Sequence, residues 1–405
     1  MTATNETTPG GTRRRIRPKR ATLVGLALIA PLALVIVLFL ILPLVRFVSL
    51  SVDNRETAQW LSHTAAALSD WHGEGLPADD AYAAIARDIR ENSDSTSKLA
   101  ARLNFFEGGM ISLMRHTAAQ LDTIPPTRAG FVAFHKDWGD PETWRAIYLV
   151  SQPLLSEHYL NALDLRADNP TEPLSIEKQP ERQQIFQRLW LRTIMVALVV
   201  ITLCTLIGYP LAFYLSQAQG FAFILGMGTV LLPFWTPLLA RITSWQVLLE
   251  STGIIPTALA ASGLIEGRVP QLFDNLFATI VVMTYVLLPF AVLPTYAVMN
   301  RVSPSLYRAA LTLGASPVRA FFQVYLPQTL PGVVAGCVLI FVFSWGFYLT
   351  PELVGGPGGS LIGNQIAYHF SSSLNWGLAA ALSGLLLFTI AAAALVLRVL
   401  APRQG

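Results

Sequence analysis

Long apolar segments alternate with polar segments along the chain, and their lengths predict a protein that crosses a membrane several times. A helix needs about 20 apolar residues to cross the hydrocarbon core of a bilayer. Six such segments are predicted, at residues 21–45, 189–216, 221–239, 276–299, 329–349 and 378–400. The predicted fold class is therefore an all-α integral membrane protein with six transmembrane helices, the first within residues 21–50 and the other five within residues 189–400.

A long polar segment, residues 51–188, separates the first two predicted spans. Stretches such as "DDAYAAIARDIRE" and "GGMISLMRHTAAQLDTI" place apolar residues at helical spacing with polar residues between them. We find no alternating pattern typical of strands in this segment. The sequence predicts a mostly helical domain inserted between the first and second spans.

The distribution of charge predicts how the chain is oriented. Hydrophobic residues make up 53% of the sequence and charged residues only 13%, against about 25% charged in a soluble domain. Of the 25 acidic residues, 20 lie between Asp53 and Glu181, whereas the first twenty residues hold six Arg or Lys. Because basic flanks favour the cytoplasmic side, we expect residues 1–20 and 401–405 to be cytoplasmic and the inserted domain to be external. A span directly follows "RRRIRPKR", so we expect no nucleic-acid partner.

The segment from Ser303 to Pro327 carries two complete helix-start signals inside a loop between two spans. Ser-Pro begins each short helix, as an N-cap followed by proline at the first helical position. Gly314 suits the left-handed position that ends the first helix. The predicted element, a cytoplasmic loop at 300–328, is either a simple connection or a surface on which a partner docks.

This loop resembles the signature of the membrane subunits of bacterial ABC importers. That signature has Glu-Ala-Ala, three residues, Gly, nine residues and Ile-x-Leu-Pro, and the same spacing here joins Arg308-Ala309-Ala310, Gly314 and Val324-Tyr325-Leu326-Pro327. In the family the loop docks onto an ATPase subunit. The resemblance implies that role for Arg308, Ala309, Ala310, Gly314, Ala315, Leu326 and Pro327. Arg308 replaces the acid of the family signature, which points to a matching acid on the partner.

Other segments look like the spermidine/putrescine-type branch of these permeases, namely "IGYPLAFYLSQ", "LLPFWTPLLARITSWQVLL", "YVLLPFAVLPTYAVM" and "LVGGPGGSLIGNQI". The resemblance covers about residues 140–403 and implies a multi-pass permease of the bacterial inner membrane. It implies ATPase subunits, a second homologous permease, a periplasmic solute-binding protein and surrounding lipid as partners. The chain has no GxxxxGK[ST] motif. We therefore expect no cofactor here, with ATP and Mg²⁺ bound by the ATPase. About 90 residues, near 53–140, have no counterpart in the family.

Charged and aromatic residues near the spans are candidates for the solute path. Glu352 follows the fifth predicted span close to Trp345 and Tyr348, and an acid beside aromatic rings can hold an ammonium group. Equally, a carboxylate at a helix end and aromatic residues at a membrane interface need no ligand. Glu250 is a further, weaker candidate. No spacing typical of a metal site is present, so we expect no metal.

Two other functional classes are compatible with a multi-span chain. A membrane sensor with an external ligand domain would explain the inserted domain but not the four further spans. An ion-coupled secondary transporter usually shows internal repeats, and we find no convincing repeat. The preferred hypothesis is a transport subunit that is not itself an enzyme, with polyamines or related small organic solutes as its cargo.

Overall fold

The computed structural model describes residues 20–172, 175–181, 183–262 and 271–400. The predicted basic N-terminus up to residue 19, the C-terminal residues 401–405 and part of the connection after the third span, residues 263–270, lie outside the described residues. Contacts divide the chain into two compact units, Met1–Ser49 and Leu50–Gly405. Each unit is described by itself.

The first unit contains one long apolar helix. It runs as α1 (Arg20–Ile36), a π-helical turn (Val37–Ile41) and α2 (Leu42–Ser49). Residues 27–49 are long and apolar enough to span a membrane. Large apolar side chains such as Leu28 and Phe39, each 77% exposed, cover this helix. A helix that is apolar on all sides suits lipid or another membrane helix.

The second unit begins with the inserted domain, residues 50–185, which is built from short helices around an aromatic core. Tyr82 packs edge-on against Trp144 with ring centroids 4.5 Å apart, and Phe131 packs edge-on against Trp138 at 4.9 Å. The indole N–H of Trp138 donates to Thr117 Oγ1 at 3.0 Å, so this buried donor is satisfied. The helices are α3 Arg55–Trp60, α4 Ser62–Ala67, α5 Asp79–Glu91, α6 Thr96–Leu103, α7 Met110–Ala119, α8 Arg128–Phe134, α9 Pro141–Ser151 and α10 Glu157–Asn161.

A small antiparallel hairpin completes the inserted domain. Strand β1 (Leu165–Ala167) pairs with β2 (Ile176–Lys178), with Arg166 opposite Glu177. The prediction of a mostly helical domain is confirmed, but this hairpin was not predicted. Strands of three residues are too short to show the period-two alternation by which a strand is recognised.

A helical bundle follows the inserted domain. Three long helices, α11, α15 and α18, pack against one another at its centre. The elements are α11 Phe186–Gln217, α12 Gly220–Trp235, α13 Leu238–Leu249, α14 Ile254–Ala261, α15 Leu276–Met299, α16 Pro304–Thr312, α17 Pro317–Ala320, α18 Leu326–Gly346, α19 Leu349–Val354, α20 Gly356–Gly359, α21 Ile362–Ser371 and α22 Trp376–Leu400. With the first unit included, the described residues contain five helices long and apolar enough to span a membrane, or six if one bent pair counts as a span.

The bent pair lies where we predicted a single third span at 221–239. Helix α12 ends at Trp235, and the following helices turn away from it by 104°. Pro237 explains the break, because a proline disfavours helical geometry in the residue before it, and Thr236 is extended at φ −102° and ψ 139°. The guanidinium of Arg241 donates to the Thr236 carbonyl at 3.1 Å and so satisfies a group that the break exposes.

The fifth long helix begins earlier than predicted. We expected a separate short helix followed by a span that starts near residue 329, with Pro327 at the boundary. Instead α17, a π-helical turn at Phe321–Tyr325 and α18 form one continuous segment, Pro317–Gly346. A π-helical turn is wider than an α-helical one and comes directly before Pro327, where it accommodates the ring that would otherwise break the helix.

Buried clusters define the two ends of the bundle. At the first end, Phe186 and Leu189 at the start of α11 pack with Trp345 near the end of α18. At the second end, Leu215 near the end of α11 packs with Met299 at the end of α15. Because α11 has 32 residues and a helix rises about 1.5 Å per residue, the inserted domain and the α16 loop lie at opposite ends of the bundle.

Candidate functional site

The loop between α15 and α18 forms a rigid corner. Its first helix, α16, is capped by Ser303, whose hydroxyl accepts from the Ser305 N–H at 3.4 Å. Gly314 has φ +91°, the left-handed conformation predicted for it. The Gly314 N–H donates to the Leu311 carbonyl and the Ala315 N–H to the Ala310 carbonyl, both at 3.0 Å. These two bonds form a Schellman motif, which explains why alanine and glycine recur at this spacing.

The corner exposes large apolar side chains. Leu313 is 88% exposed, Val318 67% and Phe322 59%. Arg308 is also exposed, and its guanidinium makes no ion pair with any of the described residues. Grouped apolar side chains of this kind are compatible with the docking role predicted from the sequence, which stays a prediction.

The remaining predicted docking residues lie on both sides of this corner. Ala309 is exposed in α16, and its carbonyl accepts from the Leu313 N–H at 3.0 Å. Leu326 and Pro327 belong to α18, after the π-helical turn, and are half-buried and exposed, respectively. The structure thus brings Arg308, Ala309, Ala310, Gly314 and Ala315 into one corner and places Leu326 and Pro327 on the helix that leaves it.

At the other end of the bundle, Glu352 and Tyr348 meet at one amide group. The side chain of Asn364 donates to Glu352 Oε2 at 2.7 Å and to the Tyr348 backbone carbonyl at 3.0 Å. Glu352 is exposed, whereas Asn364 is only 5% exposed. The bond from this buried amide orients the Glu352 carboxylate through one of its two oxygens. Sequence reasoning missed Asn364, because no spacing links it to an acid twelve residues earlier.

Two other candidates for the solute path lie apart from this pair. Trp345 is 4% exposed and packs against Trp190 and Phe341, with ring centroids 5.9 and 5.4 Å apart. Its indole N–H has no hydrogen-bond partner among the described residues, so it does not reach Glu352. Glu250 is exposed directly after α13. The structure therefore places Trp345 in the packed interior of the bundle rather than in a site shared with Glu352.

Comparison with known proteins identifies permeases to which this chain is similar. A family model described as "binding-protein-dependent transport system inner membrane component" matches residues 188–405. The chain is 38% identical over 181 residues to the spermidine/putrescine transport system permease protein PotB of Haemophilus influenzae, covering 45% of this chain and 63% of that protein. It is 33% identical over 193 residues to PotB of Escherichia coli K12, covering 48% of this chain and 70% of that protein.

A solved structure, a bacterial alginate ABC transporter in complex with an alginate pentasaccharide-bound periplasmic protein, aligns with a TM-score of 0.46 and 16% identity, covering 54% of this chain and 79% of that one.

The chain belongs to the family of binding-protein-dependent transport system inner membrane components, since more than half of it matches the family model. The predicted class, a multi-pass permease rather than a sensor or an ion-coupled carrier, is confirmed. The chain spans about two thirds of the length of the two permeases to which it is similar. The matched region begins at residue 188, directly after the start of α11, so the inserted domain lies outside it.

Proposed function

We propose that this chain is the membrane-spanning permease subunit of an ATP-driven importer for polyamines, such as spermidine or putrescine, or for a related small organic solute. The identity of 33–38% to permeases named for spermidine and putrescine supports the solute class. In this proposal a periplasmic solute-binding protein delivers the solute on the side of the inserted domain. A second homologous permease completes the path, and both termini lie in the cytoplasm.

The exposed corner at α16 carries the proposal. Its apolar side chains lie at the end of the bundle opposite the inserted domain, where an ATPase subunit on the cytoplasmic side would dock. Burying a leucine stabilises a complex by about 1.5–3 kcal/mol, so Leu313, at 88% exposed, is the side chain that gains most from a partner. ATP and Mg²⁺ would bind the ATPase, and this chain would convert its closure into movement of α15 and α18.

Co-purification tests this proposal. The tagged full chain is purified from its native membranes in mild detergent, and the amount of ATPase subunit that accompanies it is measured. Leu313→Asp should reduce that amount by about tenfold or more, because it places a charge in the buried contact. Leu154→Asp is the matched control, since Leu154 is also exposed, at 64%, but lies in the inserted domain. A wild-type chain that purifies without an ATPase, or equal yields from both variants, would contradict the proposal.

We propose further that Glu352 and Tyr348 line the solute path. Asn364 fixes one oxygen of the Glu352 carboxylate and leaves the other for an ammonium group. Glu352→Gln should lower ATP-dependent putrescine uptake into vesicles at least about tenfold, since a charged hydrogen bond contributes about 1.5–3 kcal/mol. Glu250 is also an exposed acid outside the described ion pairs. Uptake measured with Glu250→Gln therefore tests the second candidate under the same conditions. Unchanged uptake in Glu352→Gln would exclude this carboxylate from the path.

A further inference from the structure

A cavity of about 630 Å³ lies at the junction between the inserted domain and the bundle. We call it the junction cavity. The inserted domain supplies the loop after α6, the inner side of α9, α10 and the hairpin, and the bundle supplies α21 and the starts of α11 and α22. Pockets that bind small molecules usually measure about 300–1,000 Å³. The size and the two-sided lining are those of a ligand site between two parts of a protein.

The basic side chains of the junction cavity are already neutralised. Arg145 lies 3.7 Å from Glu157 and 3.9 Å from Glu142, and it also donates to the backbone carbonyls of Ala167 and Asp168. Arg166 pairs with Glu142 at 3.5 Å and with Glu177 across the hairpin. The two arginines therefore already pair with three carboxylates, those of Glu142, Glu157 and Glu177. Glu107 is the fourth acid of this region.

Glu107 has no basic partner among the described residues. Its pKa is raised, first by burial and then by the neighbouring acids Glu142, Asp140 and Asp137. Only the adjacent Gly108 backbone N–H acts in the opposite direction. A partly buried carboxylate surrounded by other acids is complementary to a cation from solution.

Aromatic side chains also line the junction cavity. Phe105 and Phe106 precede it in the chain, and Tyr368, which is 52% exposed, faces the cavity from α21. The rings of aromatic side chains attract ammonium groups. The junction cavity therefore combines a volume of about 630 Å³, aromatic side chains and an acid that makes no ion pair with the described residues, which a cluster of surface acids does not.

We propose that the junction cavity binds a small organic cation with primary ammonium groups, with the carboxylate of Glu107 as its anchor. The inference deepens the importer proposal and rests on it for the view that such a cation is cargo. Helix α21 connects this cavity to the proposed path, because Asn364 holds Glu352 while Gln365 and Tyr368 line the cavity. A cation held in the cavity would therefore lie against the helix that positions Glu352.

Binding of radiolabelled putrescine to the purified full chain tests the proposal. Equilibrium dialysis is carried out with the chain in lipid nanodiscs, without binding protein or ATPase, and with 1,4-butanediol as a neutral competitor of similar length. Glu107→Gln should weaken binding at least about tenfold, whereas Glu107→Asp, which keeps the charge, should retain more of it. Glu74→Gln, an exposed acid of the same domain outside the cavity, should bind as the wild type does.

The outcomes separate this inference from the importer proposal. Wild-type binding that 1,4-butanediol displaces, or equal affinity in Glu107→Gln and the wild type, would overturn the cation site. Loss of binding only in Glu352→Gln would overturn it too, since the cation would then sit in the path alone. If the ATPase still accompanies the chain in those cases, the importer proposal is unaffected. Conversely, binding that depends on Glu107 in a chain that recruits no ATPase would support the cation site. It would contradict the proposal that the bound cation is transported.

Discussion

The imidazole of His158 lies directly against the α carbon of Gly377, at the point where the inserted domain meets the last long helix. A Cβ atom on Gly377 would overlap this imidazole. His158 is only 5% exposed and its ring also contacts that of Phe106, with centroids 5.4 Å apart, so it is enclosed by other residues. The inserted domain is therefore seated on α22 by a contact between two particular residues, 219 positions apart in the sequence.

Gly377→Ala should loosen this contact. Overpacking a filled contact costs roughly 1–3 kcal/mol, so we expect a lower midpoint of thermal unfolding, followed by intrinsic tryptophan fluorescence in detergent. Gly358→Ala is the matched control, because a Cβ at Gly358 meets no atom within 4 Å. Equal midpoints for the two variants would show that the inserted domain is not held at Gly377.

Acid should weaken the same junction. Burial, and then the positive charges of Arg102 and His369, lower the pKa of His158 from 6.5 to about 3. The unfolded chain therefore takes up a proton on this histidine below about pH 6.5, whereas the folded chain does not. Stability is fully present above that pH and is lost as the pH falls toward 3, by about 2 kcal/mol at pH 5.

The pH dependence can be assigned to His158 by substitution. His158→Leu removes the ionisable group, so the fall in unfolding midpoint between pH 7.5 and pH 5.0 should be smaller than in the wild type. His116→Leu replaces an exposed histidine of the same domain and should leave that fall unchanged. The assignment fails if both variants keep the wild-type difference, because other groups would then carry the acid sensitivity.

The features that could be predicted from the sequence were those that depend on short, local sequence patterns. Span lengths and the Ser-Pro and glycine caps of the loop follow from local patterns, and the corner with Gly314 at φ +91° matches its local signal. Continuity of the helix through Pro327 could not be predicted, because it depends on a π-helical turn that has no sequence pattern. The break at Thr236 could not be predicted either. Proline gives no general rule here, because Pro294 lies inside α15 without interrupting it.

The sites that join distant segments were beyond sequence reasoning. The junction cavity is lined by residues from Phe105 to Leu378, and no periodicity connects them. Trp345 and Glu352 were grouped because they are close in sequence, yet Trp345 packs into the core. Residues close in sequence need not share a site when they lie on different helices, as here, where α18 ends at Gly346 and α19 begins at Leu349.

Asp164 anchors the second long helix to the inserted domain, and its removal should destabilise both. Its carboxylate accepts from the backbone N–H groups of Ile185, Phe186 and Gln187 at 3.0, 2.9 and 2.6 Å, which satisfies the start of α11. Asp164 itself has φ +58°, a conformation that asparagine tolerates better than alanine.

Asp164→Ala should cost roughly 1–3 kcal/mol, because it leaves buried donors unpaired and strains the backbone. Asp164→Asn should cost less, since its amide oxygen still accepts. The measurement is the thermal midpoint together with the rate of proteolytic cleavage between the hairpin and α11. Asp168→Ala, an exposed acid in the same hairpin region, is the control. A midpoint for Asp164→Ala equal to that of the control would show that the cap does not hold α11.

Arg308 should select its ATPase by charge. It stands where the signature that the loop resembles has an acid, it is exposed, and it forms no ion pair with the described residues. If the partner carries the matching acid, Arg308→Glu places two acids in contact. The amount of co-purified ATPase should then fall several-fold, and the loss should be largest at low salt, where charges are least screened. Arg308→Lys keeps the charge and should retain most of the partner. More ATPase with Arg308→Glu than with the wild type would mean instead that the partner presents a basic surface, as expected for a permease with the family's acid at this position.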